Sequence, residues 1–378
     1  MRIYVCIPSL NEARTIGSVT KLVDQGLKEF SLSCGESIEA KIINIDSSSE
    51  DGTPNVFNSI ETFFPKQSII LDEPRGKGRN LLEFIDIAGR EDASFCLTMD
   101  ADIHSADPSW ISELLNPIVS GHAGFVTPLY ARSRFEGSST NHFAYPIVLA
   151  TTGVSVRQPI AGDFAFNSSL LNVVQSLKIP EAARGYGIDI FLSLAALTHG
   201  LRHKQVELGE KMHNPSFDKL ESMFPQIAAA ALSILREVKV EPTVLMNDPV
   251  SINNIASIQS FPHKDAAITM RKQALLRINS TDAKQWRWIP PHLLGRKWGD
   301  TDIQSDDWII ILSGWIEYGI KNRDVDATLL AEQLLPFFVL RATAFWFASE
   351  KMTAEEVENQ IRNQAFALRS SLKGKFGV

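Results

Sequence analysis

Four short apolar runs recur in the first part of this chain, each followed by a polar segment and then by a stretch with helical periodicity. They are Arg2 to Pro8, Ile42 to Ile45, Gln67 to Leu71 and the run beginning at Phe95 that ends at Asp100. Short apolar runs bounded by turn residues read as strands, and strands alternating with helices build a parallel, doubly wound sheet. The helices expected between them open at Leu10-Asn11-Glu12-Ala13 and run to about Phe30, then cover Asn55 to Phe64 and Asn80 to Ala88. Every polar, Gly- or Ser-containing segment here follows a strand, so all of them fall on one edge of the sheet. In open α/β sheets that edge is where ligands bind.

Further on, Trp110 to Ser120 reads as a helix and Ala123 to Tyr130 as a strand, with a mobile polar loop expected over Ala131 to Asn141. Gln158-Pro159-Ile160-Ala161-Gly162-Asp163-Phe164 has the composition of a tight turn, Pro fixing one torsion and Gly162 permitting close backbone approach. Gly185-Tyr186-Gly187-Ile188-Asp189 opens an apolar helix through Leu197, and the strand-like run His203 to Glu210 delivers Met212-His213-Asn214-Pro215. From about Ser216 the pattern is helical: Phe224 to Val238, Lys264 to Ile278, Asp306 to Lys321, Ala327 to Ser349 and Ala354 to Leu372, with an aromatic, Pro-rich connection from Trp286 to Trp298. The expected organisation is an α/β domain over 1–215 and a helical extension over 216–378.

Composition narrows the function classes. A net charge of −7 argues against a nucleic-acid binder held by a basic surface. Cys6, Cys34 and Cys96 show no paired spacing, which suits buried thiols in a reducing compartment. The N-terminus runs directly into a strand, with no signal-peptide pattern. The apolar stretch Ala327 to Ala348 contains Glu332, Gln333, Pro336 and Arg341, a poor membrane span and a good buried helix pair. The expectation is a soluble cytoplasmic protein with no nucleic-acid partner and no membrane span.

The chemistry-bearing residues follow the strands. Phe95-Cys96-Leu97-Thr98-Met99-Asp100-Ala101-Asp102 is a buried-strand pattern ending in two carboxylates. Side chains two apart in an extended segment point the same way, so both can face the crevice at the sheet edge. Two hard oxygen donors there suit Mg²⁺ or Mn²⁺, and a divalent ion suits a diphosphate. An isolated Asp-x-Asp is equally a solvated strand end; its weight comes from the motifs on the same edge. Arg75-Gly76-Lys77-Gly78 places a cation and backbone N–H groups at a helix start, apt for phosphate oxygens, though the P-loop spacing is absent. Ser9-Leu10-Asn11-Glu12 and Asp46-Ser47-Ser48-Ser49 can hold a base and ribose or simply cap helices. His213 can complete a metal site begun by a distant carboxylate, and Asp189 can accept sugar hydroxyls, act as a base, or merely favour a helix start.

Taken in order, Pro8-Ser9-Leu10-Asn11-Glu12, Asp46-Ser47-Ser48-Ser49, Gly76-Lys77-Gly78, Asp100-Ala101-Asp102, Gln158 to Asp163, Gly185 to Asp189 and Met212-His213-Asn214 resemble the GT-A-fold nucleotide-sugar glycosyltransferases. Within these, the pattern is most similar to the retaining glucosyl-3-phosphoglycerate and mannosylglycerate synthases. The resemblance implies a GT-A mostly parallel sheet with a helical C-terminal region that lids the acceptor site or forms a homodimer interface. It implies that Pro8, Leu10, Glu12, Asp46 and Ser47 line the base and ribose pocket, that Lys77 meets the diphosphate, and that Asp102 and His213 ligate Mg²⁺ or Mn²⁺ with Asp100 on the ribose or the metal's water shell. Tyr186 and Asp189 would hold the donor sugar or meet the acceptor, and the Ile160 carbonyl would lie near the anomeric carbon. The acceptor region departs from the family pattern, with Arg132, Arg134 and Asn214 left to bind a carboxylate or phosphate. The expected activity is transfer of glucose or mannose from a GDP- or UDP-hexose to a small acid such as glycerate or 3-phosphoglycerate. Competing expectations are an inverting transferase with Asp189 as base, a sugar-nucleotide nucleotidyltransferase, and a non-catalytic sugar-nucleotide binder.

Overall fold

Strand β1 (Arg2–Ser9) is buried at every position after its first, so both of its faces are covered and its sequence is apolar throughout rather than alternating. It is seen in a computed structural model that describes residues 1–35, 37–212, 219–238, 261, 263–296 and 302–376, the side chain of Phe376 excepted. The other strands are β2 (Glu39–Asp46), β3 (Lys66–Ile70), β4 (Phe95–Thr98), β5 (Phe125–Ala131), β6 (Ala165–Asn167) and β7 (His203–Glu210). They form one seven-stranded sheet in the order β3-β2-β1-β4-β6-β5-β7. All neighbouring pairs are parallel except those made by β6, which runs antiparallel to both β4 and β5. Strand β6 was not expected: three residues between a turn and a helix carry too short a pattern to read.

The chain divides into two compact units, Met1–Ala131 with Ile160–Pro215, and Arg132–Pro159 with Ser216–Val378. The first holds the sheet with helices α1 (Ile16–Ser33), α2 (Thr53–Ser59), α3 (Lys77–Arg90), α4 (Ser109–Val119), later α6 (Ser168–Ser176) and α7 (Ile188–Thr198). Helix α1 packs on α2 and α4, while α3 packs on α6 and α7. This is the mixed, mostly parallel GT-A arrangement expected. Register makes the strand ends level: Ser9 lies opposite Asp46, and Cys6 opposite Thr98, so the residues just past β1, β2 and β4 meet on one rim.

The second unit contains α5 (Tyr145–Thr152), α8 (Leu220–Glu237), α9 (Lys264–Ser280), α10 (Pro291–Leu294), α11 (Ser305–Lys321), α12 (Ala327–Ser349) and α13 (Ala354–Phe376). Helix α12 has the length and apolarity of a membrane span, yet 78% of its most apolar window is buried inside the structure, where α8, α9 and α11 pack on it. Its one charged core residue, Arg341, is 2% exposed and donates from Nε to Gln364 Oε1 at 3.0 Å. Burial pulls the Arg341 pKa down to about 10. The helix starts where Asp326 accepts from the N–H groups of Thr328 and Leu329, a side-chain cap.

The expected single division after residue 215 placed Arg132–Pro159 with the sheet; packing groups it with the C-terminal helices instead. Helix α5 is buried on all sides, so no solvent face marks it as a surface segment, and α13 packs along it. Nor is the stretch after Ala131 an open loop. Ser133, Phe135, Ser138 and Ser139 are buried, a π-helical turn spans Thr140–Ala144, and Arg134 Nη1 donates to the carbonyls of Ser349 and Met352. Trp298, His213 and Asn214 lie outside the described residues.

Candidate active site

At the rim, the exits of β1 and β2 are stitched to each other. Asp46 is fully buried; its carboxylate accepts from Ser9 Oγ at 2.6 Å and from Ser49 N and Oγ at 2.7 Å each. Ser47 Oγ donates to Asn80 Oδ1 at 2.7 Å, and Asn11 N donates to Ser49 Oγ at 2.7 Å. Asp46 and Ser47, expected at a base or ribose, spend these polar atoms on shaping the rim, because a buried carboxylate left unpaired is costly. Pro8 is buried, whereas Leu10 is exposed and Glu12 half-buried beside them.

Helix α3 begins at Lys77, immediately inside the Gly-Lys-Gly segment. A Cβ on Gly78 would run into the Ala183 carbonyl, and Gly78 N donates to Gly185 O at 3.1 Å. Only glycine therefore lets α3 dock against the turn that carries half-buried Tyr186 and leads into α7. That docking brings together side chains distant in sequence. Lys77 Nζ lies 2.9 Å from Asp100 Oδ1 and 3.2 Å from Asp189 Oδ2. The second oxygen of Asp100 lies 2.8 Å from Lys211 Nζ, which also reaches Asp163 Oδ2 at 2.5 Å and the Ala161 carbonyl at 3.1 Å. Asp163 in turn accepts from Asp100 N at 2.8 Å and from Tyr130 OH at 2.6 Å.

Two ammonium groups thus face three carboxylates. Burial opposes charge on Asp100, but Lys211 and Lys77 outweigh it and hold its carboxyl well below the usual carboxylate range. Burial likewise opposes charge on Lys77, and Asp100, then Asp189, outweigh it and raise the ammonium's pKa. Asp189 is pushed upward by burial, with Lys77 working against that. Its Oδ1 is buried without a hydrogen-bond partner among the described residues.

The turn at 160–163 closes the site. Thr98 Oγ1 donates to the Gly162 carbonyl at 2.8 Å and accepts from Phe164 N at 2.9 Å. Gly162 has φ +91°, and a Cβ there would strike Asp100 Oδ2 and sit 2.9 Å from Lys77 Nζ. Ile160, half-buried, heads the turn.

Asp102 is half-buried and without a hydrogen-bond or ion-pair partner among the described residues, in contrast to Asp100, two residues earlier, which is clasped by two lysines. The loop after Asp102 is tied to the end of β7 and beyond: His104 N donates to Met212 O at 2.8 Å, Met212 N to Ser105 Oγ at 2.8 Å, and Ser105 Oγ to Glu210 O at 2.7 Å. Among the described residues no three His, Cys, Asp or Glu side chains gather into a closed metal cage. An open site fits better: a hard cation held by one carboxylate, and completed by substrate phosphate oxygens, is common for Mg²⁺. Asp100, expected on the ribose or the metal's water shell, has one oxygen on Lys77 and the other on Lys211.

Residues 4–173 match the model of the family described as Glycosyl transferase family 2. That match spans less than half of the chain. The chain is a glycosyltransferase of GT-A type, 26% identical over 249 residues to the glucosyl-3-phosphoglycerate synthase of Mycolicibacterium smegmatis, covering 61% of this chain and 77% of that one. The Petrotoga mobilis protein of the same description is 25% identical over 255 residues, 63% and 74% of the two chains. Among solved structures, glucosyl-3-phosphoglycerate synthase from Mycobacterium tuberculosis with Mn²⁺, uridine diphosphate and glucosyl-3-phosphoglycerate superposes at a TM-score of 0.49, with 26% identity over 61% of this chain and 79% of that one.

The glycosyltransferase domain ends its matched region before β7, so Lys211 lies beyond it. Sequence reading missed Lys211 and the partnership of Tyr130 with Asp163; the signal available was a lysine at a strand exit, two residues before a histidine. Arg132 and Arg134 belong to the second unit, where they line a cavity together with Thr140, Asn141, Arg157 and Gln158. Arg157 is held by Glu358 in a two-pronged pair at 3.0–3.2 Å.

Proposed function

We propose that this glycosyltransferase moves a hexose, glucose before mannose, from a UDP- or GDP-hexose to a small acid acceptor of the glycerate or 3-phosphoglycerate type, with retention at the anomeric carbon and with Mg²⁺ or Mn²⁺ bound. The observation that carries it is the meeting of Lys77 with Asp100 and Asp189 on the rim beyond β1 and β4, the switch point of the sheet. The glucosyl-3-phosphoglycerate synthase relatives support the choice of donor sugar and acceptor. The exposed Leu10 offers apolar surface to a base, beside the buried Pro8. Among the described residues Lys77 has two partners for three protons, which leaves one N–H for a diphosphate oxygen. Asp102 is the described carboxylate open to a divalent ion, and His213 follows the Met212 that is bonded to its loop. Bound there, the ion would offset charge on the departing diphosphate.

Retention is favoured by what the carboxylates are doing. Asp189, the candidate base for inversion, has one oxygen on Lys77, and Asp163 is enclosed by Lys211 and Tyr130. Asp189 Oδ1 then serves to fix a sugar hydroxyl, with Tyr186 nearby in sequence and the Ile160 carbonyl lying at the sugar face. The acceptor hydroxyl attacks from the side the diphosphate leaves: its oxygen bonds the anomeric carbon, the bond to the phosphate oxygen breaks, and the proton goes to the leaving phosphate. Arg132 and Arg134 are the residues proposed for the acceptor's acid group, Arg134 also donating to the Ser349 and Met352 carbonyls between α12 and α13. Proton NMR of the product formed from an α-linked donor sugar tests this: an α-glycoside is expected, and a β-glycoside would return Asp189 to the role of general base.

A further inference from the structure

Lys77 and Lys211 grip the same carboxylate, but they are built differently. The Lys211 side chain is 3% exposed against 21% for Lys77. Among the described residues its ammonium meets three acceptors, Asp100 Oδ2, Asp163 Oδ2 and the Ala161 carbonyl, and its Nζ sits 5.2 Å above the ring of Tyr130. An ammonium has no fourth donor, so Lys211 can contact a phosphate only by abandoning a buried carboxylate or carbonyl. Its partners are also distributed in a telling way. Asp100 stands two residues before Asp102; Ala161 and Asp163 belong to the turn headed by Ile160; Lys211 itself stands two residues before His213. One side chain therefore ties the exit of β4, the 160–163 turn and the exit of β7 to a single point.

We infer that Lys211 is a positioning residue for sugar transfer: it sets the 160–163 turn and the Asp100 carboxylate in register with the end of β7, and does not itself bind the nucleotide. The inference rests on the glycosyl-transfer reading for its kinetic consequence but not for its structural one. The test compares Lys211→Met, Lys211→Arg and Lys77→Met with the unaltered protein. Two assays are run on each: turnover with a nucleotide hexose, and calorimetric binding of UDP and GDP in the presence of Mn²⁺. Hydrogen exchange of the amides at 99–102 and 161–164 is followed alongside. Lys211→Met is expected to lower kcat about 30-fold or more while leaving the nucleotide Kd within about threefold. Lys77→Met is expected to do the opposite, weakening nucleotide binding about tenfold or more. Lys211→Arg, which restores the charge, should recover part of kcat. In Lys211→Met the two amide stretches should exchange about tenfold faster or more, with α3 unchanged.

A nucleotide Kd that rises in Lys211→Met as far as in Lys77→Met would overturn the inference, making Lys211 a phosphate ligand. Unchanged kcat with unchanged exchange would overturn it as well. If the unaltered protein transfers no hexose, the sugar-transfer reading fails on its own, and the exchange rates still decide whether Lys211 holds the two turns.

Discussion

Adding one carbon at Gly162 probes the site more sharply than removing any side chain. Its φ of +91° is a conformation that costs an L-residue about 1–2 kcal/mol. An alanine Cβ would also collide with Asp100 Oδ2 and stand 2.9 Å from Lys77 Nζ. Asp100 cannot swing aside cheaply, because both oxygens are held by ammonium groups at 2.8–2.9 Å. The backbone strain alone should lower Tm by roughly 2–8 °C. Displacing Asp100 should remove at least tenfold in kcat/KM, about 1.4 kcal/mol of transition-state stabilisation. Gly121→Ala is the control: its φ is +73°, but nothing lies within 4 Å of the added carbon. Differential scanning fluorimetry and a nucleoside diphosphate release assay on both variants separate the two effects. Both should lose stability, and Gly162→Ala alone should lose activity. Wild-type turnover in Gly162→Ala would refute the argument that Asp100, Lys77 and this turn form one tightly packed unit.

Asp102→Asn keeps the shape of the side chain and removes its charge; titration calorimetry should show Mn²⁺ no longer strengthening nucleotide binding, a loss of about tenfold or more. Unchanged metal dependence would move the cation elsewhere. His142 is fully buried, its Nε2 lacks a partner among the described residues, and burial followed by Arg341 drives its pKa well below the ordinary 6.5 of a histidine. The unfolded chain therefore binds a proton that the fold refuses, so this group's contribution to stability is complete above 6.5 and declines as the pH falls, by about 1.4 kcal/mol per unit. The urea midpoint should fall further between pH 7.5 and 5.5 for the unaltered protein than for His142→Gln, and an equal fall in both would count against it.

Much of the fold was legible because its signals are local. Helix α12 begins and ends where its apolar run does, at Ala327 and Ser349, and the four strands β1 to β4 fall on the four apolar runs. What escaped were features decided by distant partners. Arg132–Pro159 looks like a polar loop plus a short apolar run, and only burial against α13, more than 200 residues away, makes it part of the helical unit. The site shows the same division. Asp100, Asp102, Lys77 and Asp189 stand out by following strands or opening helices. That Asp100 is already neutralised depends on Lys211, 111 residues later, and no local pattern announces that contact. The bonds of Asp46 were likewise not legible: a strand-end aspartate can face outward or turn inward, and here Ser9 and Ser49 donate to it.

The most direct measurement is release of nucleoside diphosphate from UDP- and GDP-hexoses by the purified protein, with Mn²⁺ and with glycerate or 3-phosphoglycerate. Release that needs both the metal and the acid acceptor, and that disappears in Asp102→Asn, is the predicted result. Donor breakdown that proceeds equally without acceptor, without metal, or without the Asp102 carboxylate would contradict the proposal that this rim transfers a sugar to a small acid.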